Sequence, residues 1–416
     1  MPAVSGLLSL GSQIAGGTGY NSDEWVSEFQ DTILVRNSRG LNAGTSLFGL
    51  MSKLKNEPSE TLEFKWFERD PVTRTVYADG AALVGATSIV VDDGQSSPGP
   101  IGGIVQVGTI LRSSSGELIR VTAFTNNAAD TTLTVERGFG SSTAVALTDN
   151  EALVVVTLGQ GEGASPVSAV YEAPTTLTNY IQTFNSAVNI TNAFKASKLR
   201  TDIEGPLRER RVQALERIAR DIELAYFFGR KAFSTSSING SGRAYYTGGI
   251  VASVDAIGAS PEQKLNGQGG TGVSLATFNS WLSSFLTLGS DAKLAFCGPK
   301  AYSAISNYAN SGSNGFRITS QETVFGMNIT TINTPFGELS LAMHPLFKEI
   351  GTYNDWMVVV DLALIVQKVM EPLFLEPNIQ TPGSDAYQEQ FRAKYGLKLK
   401  FAQAFAYAYG LQKITT

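Results

Sequence analysis

The sequence predicts an α+β fold carrying an inserted all-β module, and three observations support that prediction. Residues 83 to 157 consist of short alternating apolar runs separated by turn signals. One helix-patterned stretch of about 25 residues follows, roughly 37 Å long at the standard rise. From residue 275 onward, helix-patterned and strand-patterned segments alternate. Composition agrees: 43% hydrophobic residues can fill large cores, and 42 glycines suit many short strands and turns. The length allows two or three domains.

Taken in order, residues 1 to about 58 begin as a Gly/Ser-rich extended arm. "SDEWVSEFQDTILVRNSRG" then predicts a helix capped by Ser22 or Asp23, with Trp25, Val26 and Phe29 on one face. "TLEFKWFERD" alternates, Leu62, Phe64 and Trp66 against Glu63 and Lys65, which predicts a half-buried strand. In the module, "TSIVVDDG", "GTILRSSSGELIRVTAFT", "TTLTVERGFG" and "EALVVVT" supply about five strands. "GQGEGASP" closes it as a flexible joint, and "TTLTNYIQTFNSAVNI" resumes a long strand pattern.

The helix comes next, "PLRERRVQALERIARDIELAYFFGRK". Pro206 suits the first helical position, with Gly205 as cap. Val212, Leu215, Ala219, Ile222 and Ala225 recur at spacings of three and four and predict one apolar stripe. Arg208, Arg211, Glu216, Arg220 and Glu223 fall largely outside it. Seven arginines lie between Arg200 and Arg230 in a chain with only 17% charged residues. Arginine is favoured where planar pairing to carboxylate or phosphate is wanted. The helix therefore presents either a solvated face with pairs such as Glu216–Arg220, or an interface. Further on, "WMVVVDLALIVQ" at 356 to 367 includes Asp361 and reads as a buried strand, too short for a membrane span. The chain ends in another alternating strand.

Chemistry is sparse. A formal charge of −5 gives no general attraction for nucleic acid. Cys297, the only cysteine, excludes an internal disulfide and predicts a buried thiol in "KLAFCGPK". His344, the only histidine, leaves little room for base catalysis or metal binding. "GQGGTG" at 267 to 272 has the spacing of a dinucleotide loop, but no strand precedes it and Asp291 is misplaced for a ribose contact. No G-x-S-x-G elbow accompanies His344, and Asp92–Asp93 before a glycine reads as a turn, not a calcium loop. The expectation is no catalytic residue, no cofactor and no metal, with His344→Ala leaving assembly unchanged. No basic leader precedes the first apolar patch, so a soluble, cytoplasmically made chain is expected.

The ordering then becomes recognisable. "TLEFKWFERD" resembles the outgoing limb of the extended loop in tailed-bacteriophage major capsid proteins, and "LTNYIQTFNSAVNITNAFKAS" resembles its returning limb. "RERRVQALERIARDIELAYFFG" resembles the spine helix. "TFNSWLSSFLTLGSDAKLAFCGPKAYSAISNYA" and "TPFGELSLAMHPLF" resemble the axial domain. "MVVVDLALIVQKVMEPLFLEP" and "YGLKLKFAQAFAYAYGL" resemble its exit and the last peripheral strand. The fold is shared with herpesvirus capsids and encapsulins, and the resemblance covers most of the chain outside 83 to 157.

The resemblance implies seven segments. They are an N-terminal arm and first helix (1–58), an outgoing limb (59–82), an inserted β domain (83–157) and a returning limb (158–196). The spine helix (197–238), an axial domain (239–370) and a return to the peripheral domain (371–416) complete them. It implies a shell of hexamers and pentamers around double-stranded DNA, weakly contacted, in a virion capsid assembled in the host bacterial cytoplasm. Separate scaffold, portal and cement proteins are possible partners, and no membrane is. Because the extended loop crosses a neighbour's spine helix in this family, it implies an inter-subunit interface at Leu62, Phe64, Trp66, Arg208, Arg211, Arg217 and Arg220. An arm starting at Met1 suggests an uncleaved protein. Lys65 is a candidate for the loop crosslink of some relatives, but no partner is identifiable, so that activity is not carried over. An encapsulin-like compartment, an enzyme and a tail or decoration protein are the alternatives.

Overall fold

The computed structural model describes Leu47 and residues 56–69, 74–94, 101, 104–127, 130–163, 174–197, 206–235, 242–258, 262–267, 272–310, 317–324 and 327–415. The expected arm, the helix after Ser22, the Gly205 cap and most of "GQGGTG" lie outside them. The chain divides into two compact units, residues 65–177 and the remainder.

Two strands open the described chain, β1 (Asn56–Pro58) and β2 (Glu63–Glu68). Then β3 (Thr75–Ala78), β4 (Ser88–Asp92), β5 (Thr109–Arg112), β6 (Leu118–Asn126), β7 (Thr131–Glu136) and β8 (Ala152–Leu158) close into a barrel. Its strand order is β3-β4-β7-β6-β5-β8. Period-two alternation sends Val76, Ile89, Val91, Leu111, Ile119, Leu133 and Leu153 inward, and closure leaves no unpaired edge. The five expected strands are present. The sixth, β3, comes from "TVYA", before residue 83; four residues are too few to display a period. At Asp92 the side chain accepts a hydrogen bond from the Gly94 N–H at 2.9 Å, which makes the turn.

Strand β9 (Thr175–Tyr180) pairs with β2 as a two-stranded ribbon, and both strands run across the boundary between the units in sequence. In the other unit, β10 (Gln182–Thr191) leads through α1 (Asn192–Ala196) to α2 (Pro206–Phe228). After a hairpin of β11 (Ala232–Phe233) and β12 (Tyr245–Tyr246) come α3 (Ile250–Asp255), β13 (Lys264–Asn266), β14 (Val273–Ser274) and α4 (Leu275–Leu286). There follow β15 (Ala292–Cys297), α5 (Pro299–Asn310), β16 (Arg317–Val324), β17 (Met327–Thr334), β18 (Gly337–Met343) and α6 (Pro345–Glu349). The chain finishes with β19 (Met357–Val360), β20 (Ile365–Glu376), β21 (Ala386–Leu399), β22 (Ala406–Tyr409) and β23 (Ile414–Thr415).

These build a four-stranded sheet, β1-β20-β21-β10, and a seven-stranded one, β13-β22-β19-β15-β18-β17-β16. The second is covered on both faces near β15: Leu294 and Phe296 join one core, Ala295 and Cys297 the other. Burial therefore pushes the Cys297 thiol up, away from reactivity.

The run at 356 to 367 is not one strand. It breaks at Asp361 into β19 and β20, which belong to different sheets. Asp361 is fully buried and accepts hydrogen bonds from the Ser290 and Ala363 N–H groups at 2.8 and 2.9 Å. Its Oδ2 lies 3.4 Å from Lys293 Nζ, which also donates to the Ala404 carbonyl at 2.8 Å. Gly289 sits at φ +77°, and a Cβ there would come within 2.6 Å of Asp361 Oδ2. Only glycine lets the carboxylate in.

Candidate assembly interface

Helix α2 starts at Pro206 as expected and runs 23 residues, about 34 Å. Its buried face is not the predicted stripe. Ala214, Ile218, Ile222 and Tyr226 are buried against Phe184 and Val188 of β10 and Phe391, Ala393 and Tyr395 of β21. Val212 and Leu215, both assigned to the stripe, are 48% and 38% exposed. Spacings of three and four fit several rows of one helix, and the row of large side chains wins. The buried face also turns along the helix, because its C-terminal half meets Phe296 and Phe347 in addition to the sheet.

Glu223 corrects the sequence reading too. It was placed outside the stripe, yet it is fully buried. Its Oε1 accepts the Leu47 N–H at 2.6 Å and lies 2.8 Å from His344 Nε2. The rings of Phe227, Phe296 and Phe347 surround His344, with centroids 5.3, 5.5 and 4.9 Å away. Nδ1 has no hydrogen-bond partner among the described residues, which suits a lone pair and the Nε2–H tautomer. The lone histidine thus ties the N-terminal segment, α2 and the turn into α6 together, so replacing it removes structure.

Of the four candidate arginines, Arg211 and Arg220 make ion pairs with other elements of the fold. Arg211 makes a bidentate pair with buried Glu389, Nε to Oε1 at 2.6 Å and Nη2 to Oε2 at 2.7 Å. The Tyr387 hydroxyl donates to the same carboxylate at 3.0 Å, and Lys195 Nζ sits 3.7 Å from the Tyr387 ring centre. Burial raises the Glu389 pKa, but Arg211 and Tyr387 outweigh it and hold the carboxyl below its ordinary value. Arg220 pairs with Glu349 at 2.8 Å in the open, with side chains 42% and 38% exposed. The remaining two are on opposite flanks. Arg208 lies in a row with Val212 and Leu215, while Arg217 lies with Arg210 and Gln213 and faces Ser186 and Asn189 of β10 across a groove.

On β2 the predicted alternation is present: Phe64 is buried, Leu62 and Trp66 are half-buried. Phe64 packs so close to Gly396 that a Cβ there would meet its ring at 2.8 Å. Trp66 Nε1 donates to Glu68 at 2.7 Å, and the Leu62 carbonyl accepts the Ile181 N–H at 2.8 Å. Outside the predicted set, Phe67 is the aromatic that reaches solvent, at 71% exposure. It sits on the polar side of the alternation, so a period-two pattern could not single it out.

Among the described residues no group of three or more His, Cys, Asp or Glu side chains could hold a metal ion, and no helix is long and apolar enough to cross a membrane.

Residues 43–412 match the family model of the SU10 major capsid protein. The major capsid protein of Pseudomonas phage PaMx41 is 24% identical over 399 residues, 93% of this chain and 86% of that protein. Among solved structures, that of Microbacterium phage Oxtober96 aligns over 94% of this chain and 97% of its own, with 10% identity and a TM-score of 0.43. The capsid of a native GTA particle aligns over 93% and 96%, with 8% identity and a TM-score of 0.45. With a match that includes both compact units and the arginine helix, the chain belongs to the SU10 major capsid protein family and is a shell subunit of a tailed bacteriophage.

Proposed function

We propose that this subunit forms hexamers and pentamers of a closed icosahedral shell around double-stranded DNA, with the protein acting structurally and not as an enzyme. The match over residues 43–412 carries the reading. In it, α2 with the four-stranded sheet serves as the peripheral domain and the seven-stranded sheet as the axial domain. The β2–β9 ribbon is the base of the extended loop. Assembly takes place in the host cytoplasm, with a separate scaffold and a portal.

On this reading the seven interface candidates are of two kinds. Phe64 and Arg211 are engaged inside the chain and hold the loop base and helix in place. On α2, Arg208, Arg217 and Arg220 with exposed Val212 and Leu215 are offered to a neighbour; on the loop ribbon, Leu62, Trp66 and exposed Phe67 are offered separately. Heterologous contacts of modest size suffice, since closure repeats each one around the shell. Contact with DNA is weak and non-specific at a chain charge of −5. Expression alone and with the phage's scaffold, followed by sedimentation and negative-stain imaging, tests this. Rings, tubes or shells are expected; a stable monomer at micromolar concentration under both conditions would refute it.

A further inference from the structure

One end of the barrel carries an apolar tip that the barrel itself does not use. Leu83 is 80% exposed, Val84 49% and Val145 40%. Single exposed apolar side chains are ordinary; three on two adjoining loops, held rigid from beneath, are not.

What holds them is a buried ion pair. Arg137 Nε and Nη2 each donate to the Glu117 carboxylate at 2.7 Å, with side chains 6% and 0% exposed. The same guanidinium donates to the Leu83 carbonyl at 2.9 Å and to the Val145 carbonyl. Glu117 in turn accepts the Val145 N–H at 3.0 Å and the Gly138 N–H at 3.1 Å. A bridge between Ala82 and Leu147 closes the two loops. A buried ion pair gains little stability over apolar packing, but this one fixes the backbone beneath two exposed apolar side chains. Fixing a contact surface before it binds lowers the ordering cost of the encounter.

The charge of the barrel narrows the partner. Residues 75–158 contain three arginines and no lysine against five aspartates and three glutamates, a net charge of −5 that equals that of the whole chain. Phosphate backbones and anionic surfaces are repelled. Area narrows it further: three side chains fall far short of the roughly 1,200 Å² that a separately diffusing partner needs. Such a tip can contribute only where other contacts already hold its partner in place. In a shell, that partner is another subunit.

We propose that the Leu83–Val84–Val145 tip docks on a second copy of this chain in the assembled shell, on the body outside its barrel, where the net charge is zero and not acidic. This rests on the shell reading above. The barrel then acts as a built-in clamp between subunits.

The test uses the full chain carrying V84C. Cys297, the only native cysteine, is fully buried, so the new thiol supplies the labelling signal. Maleimide labelling is timed on unassembled subunits and on purified shells confirmed by microscopy. The proposal expects at least tenfold slower labelling in shells made from this chain alone. Equal rates in verified shells would overturn it, and so would protection that arises only after a second protein is added. Failure to obtain any shell from the wild-type chain would instead count against the shell reading. A companion variant, L83S/V84S, is expected to assemble in normal yield but to give shells that dissociate at lower temperature; unchanged dissociation would also overturn the proposal.

Discussion

The barrel and the body of this subunit solve the same packing problem at different ranges. All six barrel strands come from residues 75–158, and a buried ion pair joins Glu117 to Arg137, 20 positions apart. The body closes over far longer distances. Leu47 reaches Glu223 across 176 positions, Lys293 reaches the Ala404 carbonyl across 111, and Asn179 Nδ2 reaches the Leu397 carbonyl across 218. The difference teaches that the barrel is a self-contained insertion, whereas the body is one cooperative structure in which distant segments depend on each other. Local contacts also favour faster formation.

The largest expected effects break the buried charges of one region and spare the other. Asp361→Ala strands the Lys293 ammonium and two N–H donors, at an expected cost of about 3–5 kcal/mol. Hydrogen-exchange mass spectrometry should show lost protection in β15 and β19 and an unaltered barrel. Glu117→Gln should do the reverse, by a similar amount, loosening the loops at 83 and 145 while the body stays protected. Parallel loss in both regions from either variant would contradict their independence.

His344→Ala comes next, at roughly 2–4 kcal/mol, since it empties a site among three phenylalanines and removes a partner from buried Glu223. Thermal unfolding of the unassembled subunit measures it. A Tm equal to wild type would mean that the histidine is dispensable for folding and would contradict this account.

Acid should affect both regions. Burial raises the Glu117 pKa, but Arg137 and the Val145 and Gly138 N–H groups outweigh it, so the folded value lies below the ordinary 4.5. Glu389 behaves alike through Arg211 and Tyr387. A depressed carboxyl contributes stability that is complete above its unfolded pKa and lost as pH falls through the folded one. The protein should therefore hold its stability from neutrality to about pH 5 and lose it progressively below about pH 4.5; a flat acid profile down to pH 3 would contradict these assignments.

The smallest effect on folding is expected from R217E/R220E. The Arg220–Glu349 pair is exposed, and such pairs contribute about 1 kcal/mol or less. Assembly, scored by sedimentation, should suffer far more than the Tm of the subunit. Equal losses would return the helix to an ordinary solvated face.

These contrasts also explain what could be read from the sequence. Five of the six barrel strands were legible because alternation such as that of "TTLTVE" is a local signal, and β3 escaped because it is four residues long. Pro206 announced the start of α2 by its own stereochemistry. Which face of α2 is buried depended on Phe184, Phe391 and Phe347, far away in sequence, so the stripe was misplaced at Val212 and Leu215. Glu223–His344 and Lys293–Asp361 were invisible for the same reason. A buried carboxylate looks like any other until its partners arrive.

The most direct test is to replace residues 75–158 with a short Gly/Ser linker and image the product, co-expressed with scaffold where wild type needs it. If the barrel is an independent clamp on a complete shell subunit, closed shells of wild-type diameter form and differ only in breaking at lower temperature. If only monomers or amorphous aggregates appear, the body does not stand without its barrel and the division drawn here is wrong.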